Sequence, residues 1–198
     1  MKTLLLTGYE PFLKFKTNPT ETVAKALHES VVGDYKIIAR VYPVAFKNIK
    51  QLIEKDIKEV NPDAIIHLGL AGNIHSIHLE RIAINTIDGK SDNDGFHPNG
   101  EKIIKDGPDG IFTTLPIKRL EKALIENNVP VTISNTAGTY LCNNLMYCSL
   151  YYLQQNGLNI PSGFVHVPAN TEIGIKNKIA SWPQDYINLA VTKIIENL

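Results

Sequence analysis

The chain has 198 residues, 43% of them apolar and 20% charged, which suits one ordinary globular domain running from residue 1 to 198. Twenty basic side chains balance twenty acidic ones, so net charge offers no field for nucleic acid or an anionic membrane surface. No apolar run approaches the ~18–20 residues of a bilayer span, and Thr3-Leu4-Leu5-Leu6 is too short for a signal-peptide core; a soluble cytoplasmic protein is expected.

In chain order, residues 2–7 read as a buried strand ending in the turn Gly8-Tyr9-Glu10-Pro11. Asn18-Pro19-Thr20-Glu21 opens a helix, with Asn as N-cap and Pro at the first position. Residues 35–44 form a second strand. Phe46, Ile49, Ile53, Ile57 and Val60 recur at helical spacing until Asn61-Pro62-Asp63 stops them. Residues 64–70 are another apolar strand, closed by Ala71-Gly72, and 79–87 favour a strand too. Residues 88–109 are polar and rich in Gly, Asn, Asp and Pro, a length of loop that is functional or mobile in a compact domain. Helix follows at 117–126, strand at 129–134, helix at 142–155, a short strand at 163–167 and a terminal helix at 185–197. This alternation predicts an α/β sandwich with a mostly parallel twisted sheet, whose active site lies at the carboxyl ends of the strands.

Two cysteines are present, Cys142 and Cys148. On one helix, six residues at a rise of ~1.5 Å separate their Cα atoms by roughly 9 Å, beyond the ~7 Å reach of a disulfide. Unbridged thiols fit a reducing compartment. Cys142 ends the run Ser134-Asn135-Thr136-Ala137-Gly138-Thr139-Tyr140-Leu141-Cys142, in which a strand leads through small residues to a helix start. There the helix dipole favours thiolate over thiol, and backbone N–H groups can hold an oxyanion. Cys148, deeper in the helix, reads as a small buried hydrophobe.

A thiolate nucleophile needs a base. His166 stands at the carboxyl end of the strand Gly163-Phe164-Val165-His166-Val167, and neighbouring parallel strands would bring it toward Cys142. His67, mid-strand, reads as a core residue. His28 and His97 read as a helix surface and a loop. His75, His78 and Glu80 could be drawn as metal ligands, but their spacing lacks a recognised third-ligand pattern, so no metal is assigned. Glu80 enters an apolar strand, where a carboxylate pairs with an arginine or orients an imidazole.

Together these segments resemble the pyrrolidone-carboxylate peptidases, also called pyroglutamyl peptidase I. The resemblance runs from end to end through Thr7-Gly8-Tyr9-Glu10-Pro11-Phe12, Asn18-Pro19, Glu80-Arg81-Ile82-Ala83-Ile84-Asn85, the cysteine run and Phe164-Val165-His166-Val167-Pro168. It implies a cysteine peptidase with a three-layer α/β/α sandwich, no cofactor, commonly a homotetramer, and peptides with N-terminal pyroglutamate as substrates. Carried over by position, Cys142 is the nucleophile, His166 the general base and acid, and Glu80 the imidazole orienter. Tyr9 (where Phe is common), Phe12, Asn18, Leu70 through its backbone, Tyr140 and Leu141 are the substrate-binding positions. The departures are Leu13-Lys14 for Gly-Gly, Asn73-Ile74 for Gly-Arg, Gly89-Lys90 for Ala-Arg, and Ser91 at an apolar pocket position beside an apparent one-residue deletion. The alternative they leave open is a diverged cysteine hydrolase of the same fold, acting on another small N-acyl or lactam group.

Overall fold

The computed structural model describes residues 1–12 and 15–198; the Leu13-Lys14 departure lies outside the described residues. In chain order the elements are β1 (Lys2–Tyr9), α1 (Pro19–Leu27), β2 (Val31–Val32), β3 (Tyr35–Tyr42), α2 (Ile49–Val60), β4 (Ala64–Leu70), β5 (Ile77–Glu80) and β6 (Ile82–Ile84). They continue with β7 (Ile87–Asp88), β8 (Asn99–Glu101), β9 (Gly110–Phe112), α3 (Ile117–Glu126), β10 (Val131–Ser134), α4 (Leu141–Gln155), β11 (Ser162–Val167), α5 (Thr171–Asn177) and α6 (Gln184–Glu196).

Seven strands make the main sheet in the order β10-β5-β11-β4-β1-β3-β2. Its centre is parallel: β1 pairs with β3 and β4, and β4 with β11. Every residue of β4 is buried, as a central parallel strand covered on both faces requires. Alternating side chains divide the core in two. Leu4, Leu6, Ile66, Leu68, Val165 and Val167 pack under α1, α3 and α6, with Val23, Leu120 and Val191. Leu5, Ile65 and Phe164 pack on the other face under α2 and α4, with Ile49, Ile53 and Leu145. The result is the expected three-layer α/β/α sandwich.

Local signals placed the helix ends well. Asn18 caps α1 by accepting the Thr20 N–H at 3.1 Å, and Asn61 closes α2 in the left-handed region at φ 46° just before Pro62. Two expectations need correction. Residues 79–87 are not one strand: β5 stays in the main sheet, while β6 leaves it to pair with β9. Arg81 marks the break, its N–H bonded to the Ser134 carbonyl and its Nε to Asn135 Oδ1 at 2.7 Å. The sheet is mostly parallel, as expected, with β5 antiparallel to β11 and carrying β10 with it. Finally, residues 88–109 contain a short antiparallel pair, β7 with β8. The buried Asp92 carboxylate accepts the N–H groups of Phe46, Asp94 and Phe96. Asn85 likewise donates to the Ile104 and Gly107 carbonyls and accepts the Ile104 N–H. The polar composition of this excursion therefore serves its own hydrogen bonding.

Candidate active site

Cys142 is the second residue of α4, whose N-cap is Tyr140. The first bond along the helix is from the Asn144 N–H to the Tyr140 carbonyl, at 3.0 Å. The N–H groups of Leu141, Cys142 and Asn143 thus have no acceptor within the helix, and they converge at its positive end. The Cys142 thiol is half-buried and unbridged, and the buried Cys148 is unbridged too.

Beneath the thiol lies Gly69 of β4. A Cβ there would stand 2.7 Å from the Phe164 ring and 2.9 Å from Cys142 Sγ, closer than such atoms approach, so this strand glycine makes the room the thiol occupies. From sequence, Gly69 could be read only as the start of a weak phosphate-loop pattern, Gly69-Leu70-Ala71-Gly72. Its signal was a lone glycine inside an otherwise apolar strand.

His166 is 8% exposed at the carboxyl end of β11, and its Nδ1 lies 2.8 Å from Glu80 Oε1, a carboxylate only 1% exposed. The register explains the meeting. His166 stands opposite His78 in the antiparallel β5–β11 pair, and Glu80, two residues beyond His78, projects from the same face as a diagonal neighbour. The imidazole does not meet Cys142 across neighbouring parallel strands, as the sequence suggested. Antiparallel β5 intervenes between β10 and β11, and the chain from 135 to 140 returns α4 to the sheet face.

Burial by itself would lower the pKa of His166. The Cys142 thiolate, through charge and a hydrogen bond, and then Glu80 outweigh it, so that the imidazole is raised from 6.5 to about 10. Glu80 Oε2 is buried without a hydrogen-bond partner among the described residues. His67, by contrast, is fully buried with Nδ1 2.8 Å from Thr7 Oγ1, and burial holds its pKa down to about 3; it is the neutral core residue expected. Burial pushes the Cys148 thiol up to about 12. His75 and His78 do not converge with Glu80 into a ligand set: among the described residues no three His, Cys, Asp or Glu side chains are grouped to hold a metal.

A narrow cleft opens onto Cys142, lined by Tyr9, Phe12, Asn18, Val44, Leu70, Tyr140 and Leu141. All six positions assigned to substrate binding line it, with Val44 as the addition. Asn18 is committed locally, donating to the Glu10 carbonyl and accepting from the Thr20 hydroxyl and N–H. The Tyr140 hydroxyl donates to the Ser91 carbonyl at 3.2 Å, and its ring meets Phe46 edge-on at 5.1 Å. Ser91 thus touches the site through its backbone. Lys90 and Gly89 line an adjoining hollow of about 580 Å³ that shares the Phe12 and Tyr140 walls. A larger hollow, about 1370 Å³, between Lys47, Phe96 and Lys102 includes Cys148 but none of Cys142, His166 and Glu80. Of the two, only the smaller cleft reaches Cys142.

The family model described as pyroglutamyl peptidase matches residues 1–198. A pyrrolidone-carboxylate peptidase of Oceanobacillus iheyensis is 47% identical over 191 residues, 96% of each chain. One from Pyrococcus furiosus is 46% identical over 166 residues, covering 83% of this chain and 80% of the relative. Among solved structures, a mutant pyrrolidone carboxyl peptidase from P. furiosus superposes with a TM-score of 0.95 at 41% identity, covering 98% of this chain and 96% of that one. The pyroglutamyl peptidase I of Bacillus amyloliquefaciens gives 0.96 at 32% identity, covering 100% and 96%. The chain belongs to the pyroglutamyl peptidase family.

Proposed function

We propose that this chain is a cysteine peptidase that hydrolyses the amide bond after an N-terminal pyroglutamyl residue, with Cys142, His166 and Glu80 as its catalytic residues. The observation that carries the substrate is the lining of the cleft at Cys142, which contains no charged side chain among the described residues. A pyroglutamyl ring is neutral, whereas an N-terminal glutamate brings an ammonium and a carboxylate.

In the reaction, Cys142 Sγ attacks the scissile carbonyl and the carbonyl oxygen becomes an oxyanion held by the N–H groups at the start of α4. The intermediate collapses, the C–N bond breaks, and the His166 imidazolium gives its proton to the leaving amine. Water then adds to the thioester as His166 accepts its proton, releasing pyroglutamate and restoring the thiolate–imidazolium pair. Glu80 holds Nδ1, so that the other ring nitrogen faces the chemistry.

The match over residues 1–198 supports reading the whole chain as one peptidase domain. The homotetramer implied by the family resemblance and a cytoplasmic location belong to the same proposal; two unbridged cysteines fit a reducing compartment. No helix among the described residues is long and apolar enough to cross a membrane. Light scattering at working concentration tests the tetramer.

Turnover of chromogenic amides tests the function. Burying an unpaired charge costs several kcal/mol. If ~3 kcal/mol of that is felt in the transition state, pyroglutamyl amide should be preferred over glutamyl amide by at least ~10²-fold. Equal turnover of the two, or none of the pyroglutamyl amide while Cys142 still alkylates as a thiolate, would transfer the site to another small acyl group.

A further inference from the structure

Asn143 is the third residue of α4, directly after Cys142, and is fully buried. Its amide reaches from the helix to β6. Oδ1 accepts the Ile84 N–H at 2.8 Å, and Nδ2 donates to the Ile84 carbonyl at 2.8 Å and to the Thr86 carbonyl at 3.0 Å. Accepting from and donating to one residue is how an antiparallel strand bonds its neighbour. The opposite edge of β6 belongs to β9, with the Asn85 N–H on the Asp109 carbonyl and the Thr113 N–H on the Arg81 carbonyl. The Asn143 side chain thus stands where a further strand would.

This tie bears on the spacing of the triad. β6 follows Glu80 after the single residue Arg81, which is itself pinned by its N–H to the Ser134 carbonyl and by Nε to Asn135. The chain that carries the carboxylate is thereby fastened to the helix turn that carries the thiol. His166 joins the same two groups, bonded to Glu80 and to Cys142. Helix formation gives no reason for asparagine here, since it is a poor helix former. Nor does Asn143 line the cleft at Cys142.

We propose that Asn143 is a positioning residue for the nucleophile: by fastening the first turn of α4 to β6, its amide sets Cys142 at the distance from His166 that the thiolate–imidazolium pair needs. The proposal rests on Cys142 being the nucleophile and adds no contact with substrate. Without the amide, the first turn is held by the Tyr9 hydroxyl on the Leu141 carbonyl and by the packing of Leu141 and Leu145, neither of which bonds it to the chain leaving Glu80.

The experiment compares Asn143→Ala with the wild type, per folded molecule, by kcat and KM on the pyroglutamyl amide and by the rate of Cys142 alkylation with iodoacetamide against pH. A misplaced nucleophile should lower kcat at least about tenfold while KM stays within about twofold. The alkylation profile should move to higher pH by about one unit, as the thiolate loses its imidazolium partner. Asn143→Ser, small and polar, should show the same split and carries the test if the alanine variant does not fold. A lower melting temperature with unchanged kcat and alkylation would overturn the proposal, leaving the amide as a cap for the β6 backbone. A raised KM at unchanged kcat would overturn it too, the amide then shaping the cleft. Alkylation needs no substrate, so a wild type that cleaves no pyroglutamyl amide ends the substrate reading while the pH profiles still decide the proposal. If wild-type Cys142 alkylates no sooner than Cys148, both fall.

Discussion

Replacing Glu80 by Gln changes charge with little change of shape, which makes it a direct probe of the buried pair. The carboxylate meets His166 Nδ1 at 2.8 Å and is 1% exposed. Taking the charge centres as about 4 Å apart in an effective dielectric of about 20, the ion pair is worth about 4 kcal/mol when the imidazole is charged. Half of that lost from the transition state lowers kcat/KM roughly 30-fold, and all of it roughly 10³-fold. The amide adds a second effect. If its oxygen keeps the bond to Nδ1–H, its NH2 takes the place of Oε2, which is buried without a partner among the described residues, and an unsatisfied buried donor costs about 1–3 kcal/mol of stability. If the amide turns instead, its NH2 donates to Nδ1 and forces the proton onto the nitrogen meant to face Cys142. The assay is kcat/KM on the pyroglutamyl amide, with a thermal melt to separate activity from folding. Glu80→Gln within threefold of wild type, at equal folded fraction, would refute the orienting role.

Iodoacetamide at pH 6.5 should label Cys142 ahead of Cys148, whose thiol burial pushes up to about 12, and Cys142→Ser should abolish turnover; peptide mass spectrometry showing equal labelling would break the assignment. Gly69→Ala should cost roughly 1–3 kcal/mol in stability and at least about tenfold in kcat/KM, because its Cβ would stand 2.9 Å from Cys142 Sγ; an active, undiminished variant would mean that the site yields freely. His166 contributes to stability with a definite sign. Its folded pKa, about 10, lies above the unfolded value near 6.5, so its contribution is whole below about pH 6.5 and is lost as pH rises through about 10. Melting curves between pH 7 and 10.5 should show that loss, and less of it in Cys142→Ala, since the thiolate is the largest cause of the raised value; identical pH slopes in the two proteins would contradict it.

Much of this molecule was legible because local chemistry and tertiary structure agree. Asn18 before Pro19 and Asn61 before Pro62 marked helix ends, and the unbroken apolar run of β4 marked a doubly covered central strand. Cys142 was legible as a helix-start cysteine and His166 as a strand-end imidazole. Glu80 owed its role to the family resemblance alone, since nothing in one sequence says which histidine a carboxylate will meet. The direction of β5 was hidden for a related reason. A four-residue strand between two loops carries period but no polarity, and its partner β11 lies more than eighty residues away. The order within residues 88–109 was hidden because a loop-forming residue such as Asp92 looks alike whether it faces water or gathers buried backbone N–H groups.

The reversal of β5 is what places Glu80 beside His166. Had β5 run parallel to β11, its last residue would have emerged at the same sheet end as His166, near solvent, where an ion pair is worth little. Antiparallel, β5 brings Glu80 into the sheet face diagonally beside the imidazole and under α4, where the carboxylate is 1% exposed. A buried carboxylate is costly unless it is paired, and one of its oxygens has no hydrogen-bond partner among the described residues, so the surroundings favour a positively charged His166. That charge in turn favours a thiolate at Cys142, at the positive end of α4. The antiparallel strand therefore gives His166 a second anionic neighbour, behind Cys142 in its effect, and both favour the charged imidazole.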